Sequence, residues 1–182
     1  MIPEALRPGL LRVLEAITFL TEQVRKLDRE IESLIAERYP EAMLLRQVKG
    51  VGPVTSLSFV LTLEDPERFE RSRDVGAYLG LVPKQRQSGS RVPQLGITKQ
   101  GAREMRKLLV GSANYILGPK GPDTRLRRWG LAYAARGGKN ARKRAVVAVA
   151  RKLAVLLHRL WVTGEVYEPL WGLEAEERAT SA

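Results

Sequence analysis

Between Leu10 and Leu34 the apolar residues recur with a spacing that leaves little freedom in how the chain folds. Leu10, Val13, Ile17, Leu20, Val24, Leu27, Ile31 and Leu34 step by three and four residues in strict alternation. That is the seven-residue repeat of a helix with one apolar seam. It predicts a single long helix over 9–38, ended where Tyr39 precedes Pro40. Proline removes a donor and disfavours helix in the residue before it. The first position of each pair is Leu, Ile, Val and Ile; the second is Val, Leu, Leu and Leu. Mostly β-branched residues at the first position, with leucine at the second, favour two-stranded pairing in the parallel case. Such a seam either packs on its own domain or pairs with another copy. The narrow stripe and its charged flanks favour pairing, so residues 1–40 are expected to form a coiled coil and make the protein a homo-oligomer.

Charge separates the rest of the chain from this helix. Residues 1–40 hold six Lys and Arg against seven Asp and Glu, whereas residues 84–159 hold nineteen against two, Glu104 and Asp123. From Glu165 onward the balance reverses, with five acids and Arg178. Overall the chain carries +11 and a pI of about 10.3. A short charge run is ordinarily a solvated face, but a block of one sign this long points to an acidic partner, and nucleic acid is the expected one. Other classes fall away. There is no cysteine, which excludes disulfides, thiolate zinc sites and a cysteine nucleophile. His158 is the only histidine, so no His-based metal cluster forms. The N-terminus lacks the basic-then-apolar pattern of a signal peptide, and no stretch of 18 apolar residues is present. No membrane role is expected; the expected location is the cytoplasm of a bacterial cell, at the nucleoid.

The pattern after Pro40 is helical. A short helix over Glu41–Val48 meets the turn Gly50-Val51-Gly52, and Pro53 suits the first turn of a second helix ending near Leu63. Two short helices about a G-hydrophobic-G turn form the pattern of a helix-hairpin-helix. Its glycines let the backbone approach a phosphate, which the amides of the following helix then bind. Lys49 adds a cation and Thr55 a hydroxyl; the alternative is a tight turn that needs glycine for geometry alone. A polar connector over Glu64–Arg73 follows, then a short helix over 74–81. Residues 84–97, with Gly89, Pro93 and Gly96, form a loop or small irregular hairpin. Thr98 is a candidate N-cap for a helix over 99–117, whose Arg103, Arg106 and Lys107 fall mainly off the apolar stripe. A helix over Thr124–Ala135 carries Trp129 and Tyr133. The last helix spans Asn140–Val162, burying Val146, Val149, Ala150, Leu153, Leu156, Leu157 and Leu160, with Arg144, Arg151, Lys152 and Arg159 outside that face. The fold class is therefore all-α, with an insert near 84–97. The domain spans 41–170, and residues 171–182 form an acidic tail expected to be disordered.

Three ordered blocks, LLRQVKGVGPVTSLSFVLTL, DVGAYLGLVPKQRQSGSR and LGITKQGAREMRKLLVGSAN, resemble the C-terminal domain of the insertion sequence 110 family of bacterial transposases, which includes the pilin-gene invertases. The likeness runs from about Leu44 to Leu170, and the heptad helix resembles the coiled coil that precedes this domain in the family. The resemblance implies a DNA recombinase that moves or inverts DNA. It implies a serine nucleophile in a Ser-Gly block after the Leu-Val-Pro-basic-Gln element, here Ser88, with Ser90 as second choice. It implies a RuvC-like domain ahead of the coiled coil, whose four acids hold a divalent metal, magnesium. For many members it also implies a structured guide RNA. No acid cluster of this chain replaces the RuvC-like domain: Glu64, Asp65, Glu67 and Glu70 read as a solvated face. The expectation is a fragment of a larger recombinase or a truncated product, binding nucleic acid without completing transposition alone. No cofactor is expected in the chain itself.

Residue chemistry alone favours a plain turn at Ser88 and Ser90, because Ser-Gly is a common turn pair. His158 has no acidic partner with which to form a triad. Phosphoryl transfer needs instead cations about the phosphate, and Arg86, Arg91 and Lys99 suit that need. The rival to a serine recombinase is a non-catalytic module for DNA or structured RNA, with Lys49, Gly50, Val51, Gly52, Thr55, Arg103, Arg106, Lys107, Arg144, Arg151 and Lys152 as its contacts. A ribosome- or RNA-associated structural protein also fits the charge.

Overall fold

The computed structural model describes residues 3–84 and 96–170. Among them the structure is mostly helical and contains no strand. Helix α1 spans Arg7–Arg38, α2 Pro40–Leu45, α3 Pro53–Leu63, α4 Val75–Tyr78, α5 Arg103–Leu117, α6 Arg125–Ala135 and α7 Ala141–Thr163. Short 3-10 turns occupy Glu4–Leu6, Pro66–Arg68 and Ser72–Asp74.

Helix α7 is the axis of the domain, and α2, α4, α5 and α6 all pack on it. Its sequence explains this. Ala145, Val146, Val149, Ala150, Leu153, Ala154, Leu157, His158 and Leu160 are buried, a stripe wide enough to serve several neighbours. Alanines at 145, 150 and 154 let those neighbours approach closely. Gly130 of α6 sits against Val149 and Leu117, where an added Cβ would lie 2.5 Å from Val149 Cγ2. Fully buried leucines such as Leu153 and Leu157 each contribute about 2–3 kcal/mol of apolar burial.

His158 is buried within this core. Its Nε2 donates to the Pro66 carbonyl (2.9 Å), and its Nδ1 lies 3.0 Å from Ser72 Oγ. A carbonyl only accepts, which assigns the Nε2 proton. The imidazole thus ties the 64–74 connector to α7, with Phe69 edge-on at 5.4 Å.

Helix α1 leaves the domain. Ile35 is buried, and Ile31 and Leu34 are half-buried against the core. The Arg46 guanidinium grips the Glu32 carboxylate through both nitrogens, at 2.5 and 3.0 Å. Upstream, Val13, Ile17, Leu20, Val24 and Leu27 are 54–60% exposed, and Leu10 is 42% exposed. The last turns of the heptad stripe therefore pack on the domain, and the rest faces solvent.

The boundaries differ from the sequence expectation at three places. Helix α2 stops at Leu45 rather than Val48. The 74–81 segment is helical only from Val75 to Tyr78. Most consequentially, Thr98 caps no helix: α5 begins at Arg103, with Ala102 before it. Lys99 and Gly101 take left-handed backbone, φ 59° and 75°, which breaks a helix there. The Thr98 hydroxyl is buried with no hydrogen-bond partner among the described residues. This segment instead crosses the 78–80 turn so closely that a Cβ at Gly80 would collide with Gln100 and one at Gly101 with the Tyr78 carbonyl.

Candidate nucleic-acid interface

The two stems of the insert near 84–97 pair at its base. Pro83 and Ile97 form an antiparallel bridge, and Lys84 N donates to Gly96 O and Thr98 N to Val82 O, both at 2.9 Å. Below them the Arg106 Nη1 lies 3.0 Å from Leu79 O, 2.7 Å from Gln100 O and 3.2 Å from Gly101 O. Arg106 thus clamps both segments that lead into the insert. Ser88, Ser90, Arg86 and Arg91 lie outside the described residues.

The stems open onto a cleft of about 1730 Å³ between them, α6, α7 and the returning segment Tyr167–Pro169. Among the described residues, nine Lys and Arg line it against one acid, Glu168. Lys84 and Lys99 come from the stems, and Arg125 from the start of α6. Lys139 precedes α7, which itself supplies Lys143, Arg144, Arg151, Lys152 and Arg159. Those five α7 positions recur every seven or eight residues in pairs or singly, so they share a face adjoining the buried one. The half-buried Val147 and Leu156 pave the floor between them.

Aromatic rings line one wall. Trp129 stacks on Tyr133 with centroids 5.5 Å apart, and the Lys152 ammonium sits 4.3 Å from the Trp129 ring centroid. Arg136 covers Tyr133 at 5.2 Å. Cation–π contact of this kind holds a long side chain in place while its charge stays at the surface. Tyr167 closes one end. Its backbone N–H donates to Gln47 Oε1 (3.0 Å), and burial raises its phenol above the usual value of 10.0. Arg125 N donates to Pro169 O (2.8 Å), fixing the segment across the start of α6.

Not every expected contact converges here. Lys99, Arg144, Arg151 and Lys152 line the cleft; Lys49, Gly50, Gly52, Thr55, Arg103, Arg106 and Lys107 do not. Arg106 is taken up by the carbonyls of the crossing, and Arg144 reaches the Gly137 carbonyl at 2.9 Å. Lys107 pairs with Glu104 (2.9 Å), a hydrogen bond that lowers the Glu104 pKa. In the glycine turn, Lys49 and Gly52 are exposed, whereas Val51 and Thr55 are buried. Gly50 has φ 100° and faces α5, where a Cβ would lie 3.0 Å from Tyr115 Cδ1, so packing alone accounts for its glycine. Lys84, Arg125, Lys139, Lys143, Arg159 and the Trp129–Tyr133 pair join the site although they were not among its expected contacts. The signal for the cations of α7 was their shared periodicity, apparent once its buried face is subtracted. Among the described residues no three acidic or imidazole side chains converge to hold a metal.

A domain with this cleft has known relatives. Residues 42–126 match the family model described as Transposase IS116/IS110/IS902. This segment is similar to IS110-type transposases. The chain is 33% identical over 147 residues to a transposase for insertion sequence element IS1111A of Coxiella burnetii, covering 80% of this chain and 39% of that protein. It is 31% identical over 173 residues to the IS1328 transposase of Yersinia enterocolitica, covering 91% and 51%. The pilin gene-inverting protein of Moraxella bovis is 25% identical over 140 residues, covering 75% and 42%. The chain thus spans about half the length, or less, of these relatives. The matched segment contributes the connector, the stems of the insert and α5, while α7 carries most of the cleft cations.

Proposed function

We propose that this chain is the DNA-holding, serine-bearing part of a transposase or site-specific recombinase. The observation that carries this reading is the cationic cleft at the base of the insert. A phosphodiester laid along α7 meets Lys143, Arg151 and Lys152, and Lys84 and Gly96, which flank the Ser88 stretch in sequence, line the same cleft. Phosphoryl transfer requires little covalent chemistry from a protein and much charge stabilisation, which such a cleft supplies. In the proposed step the Ser88 hydroxyl loses its proton as its oxygen bonds to phosphorus. The P–O bond of the DNA strand breaks, and the departing strand oxygen is protonated. A later strand hydroxyl displaces the serine by the reverse reaction.

The finer assignments belong to the same reading. Ser88 is the nucleophile before Ser90, with Arg86, Arg91 and Lys99 about the phosphate. The Lys49–Gly52 turn serves as a second phosphate contact of helix-hairpin-helix type, through exposed Lys49 and the amides at the start of α3. Helix α1 pairs copies through its exposed seam. Residues 1–40, 41–170 and 171–182 act as pairing helix, DNA-holding domain and acidic tail. Magnesium, held by the acids of a RuvC-like domain, supplies further charge neutralisation. A structured guide RNA is a second nucleic acid for the same basic surface, and the working location is the bacterial nucleoid.

The test uses this chain joined to an acid-bearing RuvC-like domain. Ser88→Ala is expected to abolish covalent protein–DNA adducts and leave DNA affinity within about twofold. Adducts that persist in that variant would remove Ser88 from the mechanism. A chain that binds DNA yet never forms adducts in either version is the non-catalytic module.

A further inference from the structure

The segment after α7 lays acid onto the cleft. Glu165 pairs with Arg159, with Oε2 3.0 Å from Nη2, so one cleft cation is already matched from within the chain. Glu168 is the one acid lining the cleft among the described residues. The segment is pinned there by the backbone bonds of Tyr167 to Gln47 and of Pro169 to Arg125. Pro169 lines the cleft, and the sequence that follows Leu170, WGLEAEERATSA, carries Glu174, Glu176 and Glu177 against Arg178.

We propose that the acidic stretch 171–177 occupies the cationic cleft and competes with nucleic acid for it. The proposal rests on the nucleic-acid reading of the cleft only for its consequence; the docking itself stands on charge and reach. From Leu170 to Glu177 an extended chain spans at most about 25 Å. Along α7, Arg159 to Lys143 is about 24 Å at 1.5 Å per residue. The Glu177 carboxylate thus reaches the cations at the far end of the cleft, while Glu174, at most about 14 Å from Leu170, reaches those nearer Arg159. A tethered segment acts at an effective concentration in the millimolar range, so weak individual ion pairs suffice for substantial occupancy. Each is screened by salt, so occupancy falls as ionic strength rises. The tail then lets a long polyanion displace it while excluding weak or short anionic competitors.

Two measurements on the whole chain test this. Zero-length carbodiimide coupling joins carboxylates to amines in contact, and mass spectrometry locates the links. Glu174, Glu176 and Glu177 are expected to couple to Lys139, Lys143 and Lys152, and not to Lys26 or Lys120. Links scattered over all lysines, or none to the cleft, overturn the docking, and this readout holds whether or not the cleft binds nucleic acid. The second is binding of a fluorescent DNA duplex by the chain and by a version stopped after Leu170. The shorter version is expected to bind about fourfold tighter at low salt, as for a tail that covers the cleft about three-quarters of the time. The gain is expected to shrink at high salt. Equal affinities overturn the competition. If neither version binds DNA while the cleft links are present, the nucleic-acid reading fails and the docking stands.

Discussion

The Arg106 guanidinium sits where the carbonyls of Leu79, Gln100 and Gly101 converge, at 3.0, 2.7 and 3.2 Å. Left-handed turns at Gly80 and Gly101 leave these carbonyls without helical partners, and a charged donor answers them. Replacing it with leucine leaves the part-buried Leu79 carbonyl unpaired and returns those of Gln100 and Gly101 to water. Arg106→Leu is expected to cost about 2 kcal/mol and lower Tm by about 4–8 °C. Arg106→Lys should recover only part, because a point charge does not match a fork. Thermal melts of both variants check this. The DNA-binding salt slope should be unchanged, which separates a clamp from a phosphate contact. Sequence alone placed Arg106 off the apolar stripe of its helix; one of the carbonyls awaiting it, that of Leu79, comes from a turn 27 residues earlier.

Helix α1 combines two tasks along one seam. Its final turns are anchored by Ile35 in the core and by the Arg46–Glu32 ion pair, while Leu20, Val24 and Leu27 face solvent. An apolar seam this long is exposed at a cost unless another helix covers it. Leu20→Asp with Leu27→Asp is expected to leave a monomer by sedimentation at concentrations where the parent chain associates, with the domain's Tm within about 2 °C. Ile35→Asp should instead unfold the domain, since it buries an unpaired charge. A parent chain that sediments as a monomer at all concentrations removes the pairing role. The heptad spacing made this helix legible in sequence, and its end at Tyr39-Pro40 falls within a residue of expectation. Which part of the seam turns inward was not legible, because it depends on where α2 and α3 lie. The start of α5 was misjudged for a related reason: Thr98 is a good cap locally, but the crossing with the 78–80 turn holds Lys99 and Gly101 left-handed.

Across the whole molecule, charge is sorted by the packing about α7. One side of that helix is buried, the adjoining side gathers cations, and the segment that follows returns Glu165 and Glu168 toward them. Counterion release makes the consequence measurable: each phosphate contact contributes about −0.9 to the slope of log affinity against log salt on duplex DNA. Lys143→Gln with Arg151→Gln is expected to flatten that slope by about 1.8. Lys26→Gln with Lys120→Gln, away from the cleft, should leave it unchanged. Equal slopes for the two pairs would place the DNA elsewhere. Neutralising exposed cleft cations should barely move Tm, since neither side chain is part of the core.

By itself the sequence determined most of the helices, the apolar seam and the excess of nineteen cations over two acids in 84–159, because these depend on neighbours a few residues apart or on composition alone. It also carried the likeness to the transposase family, through blocks of contiguous residues. Only the tertiary structure decided which cations share a surface. Lys84 and Lys99 reach the cleft because Arg106 and two glycines lock the stems together; Arg125 and Lys152 reach it because Gly130 lets α6 settle against Val149. Tyr167 and Glu168 arrive through a hydrogen bond to Gln47, 120 positions earlier. Those partners are distant in the chain and near in space, so the assembled site emerges only when the core closes and brings their elements together.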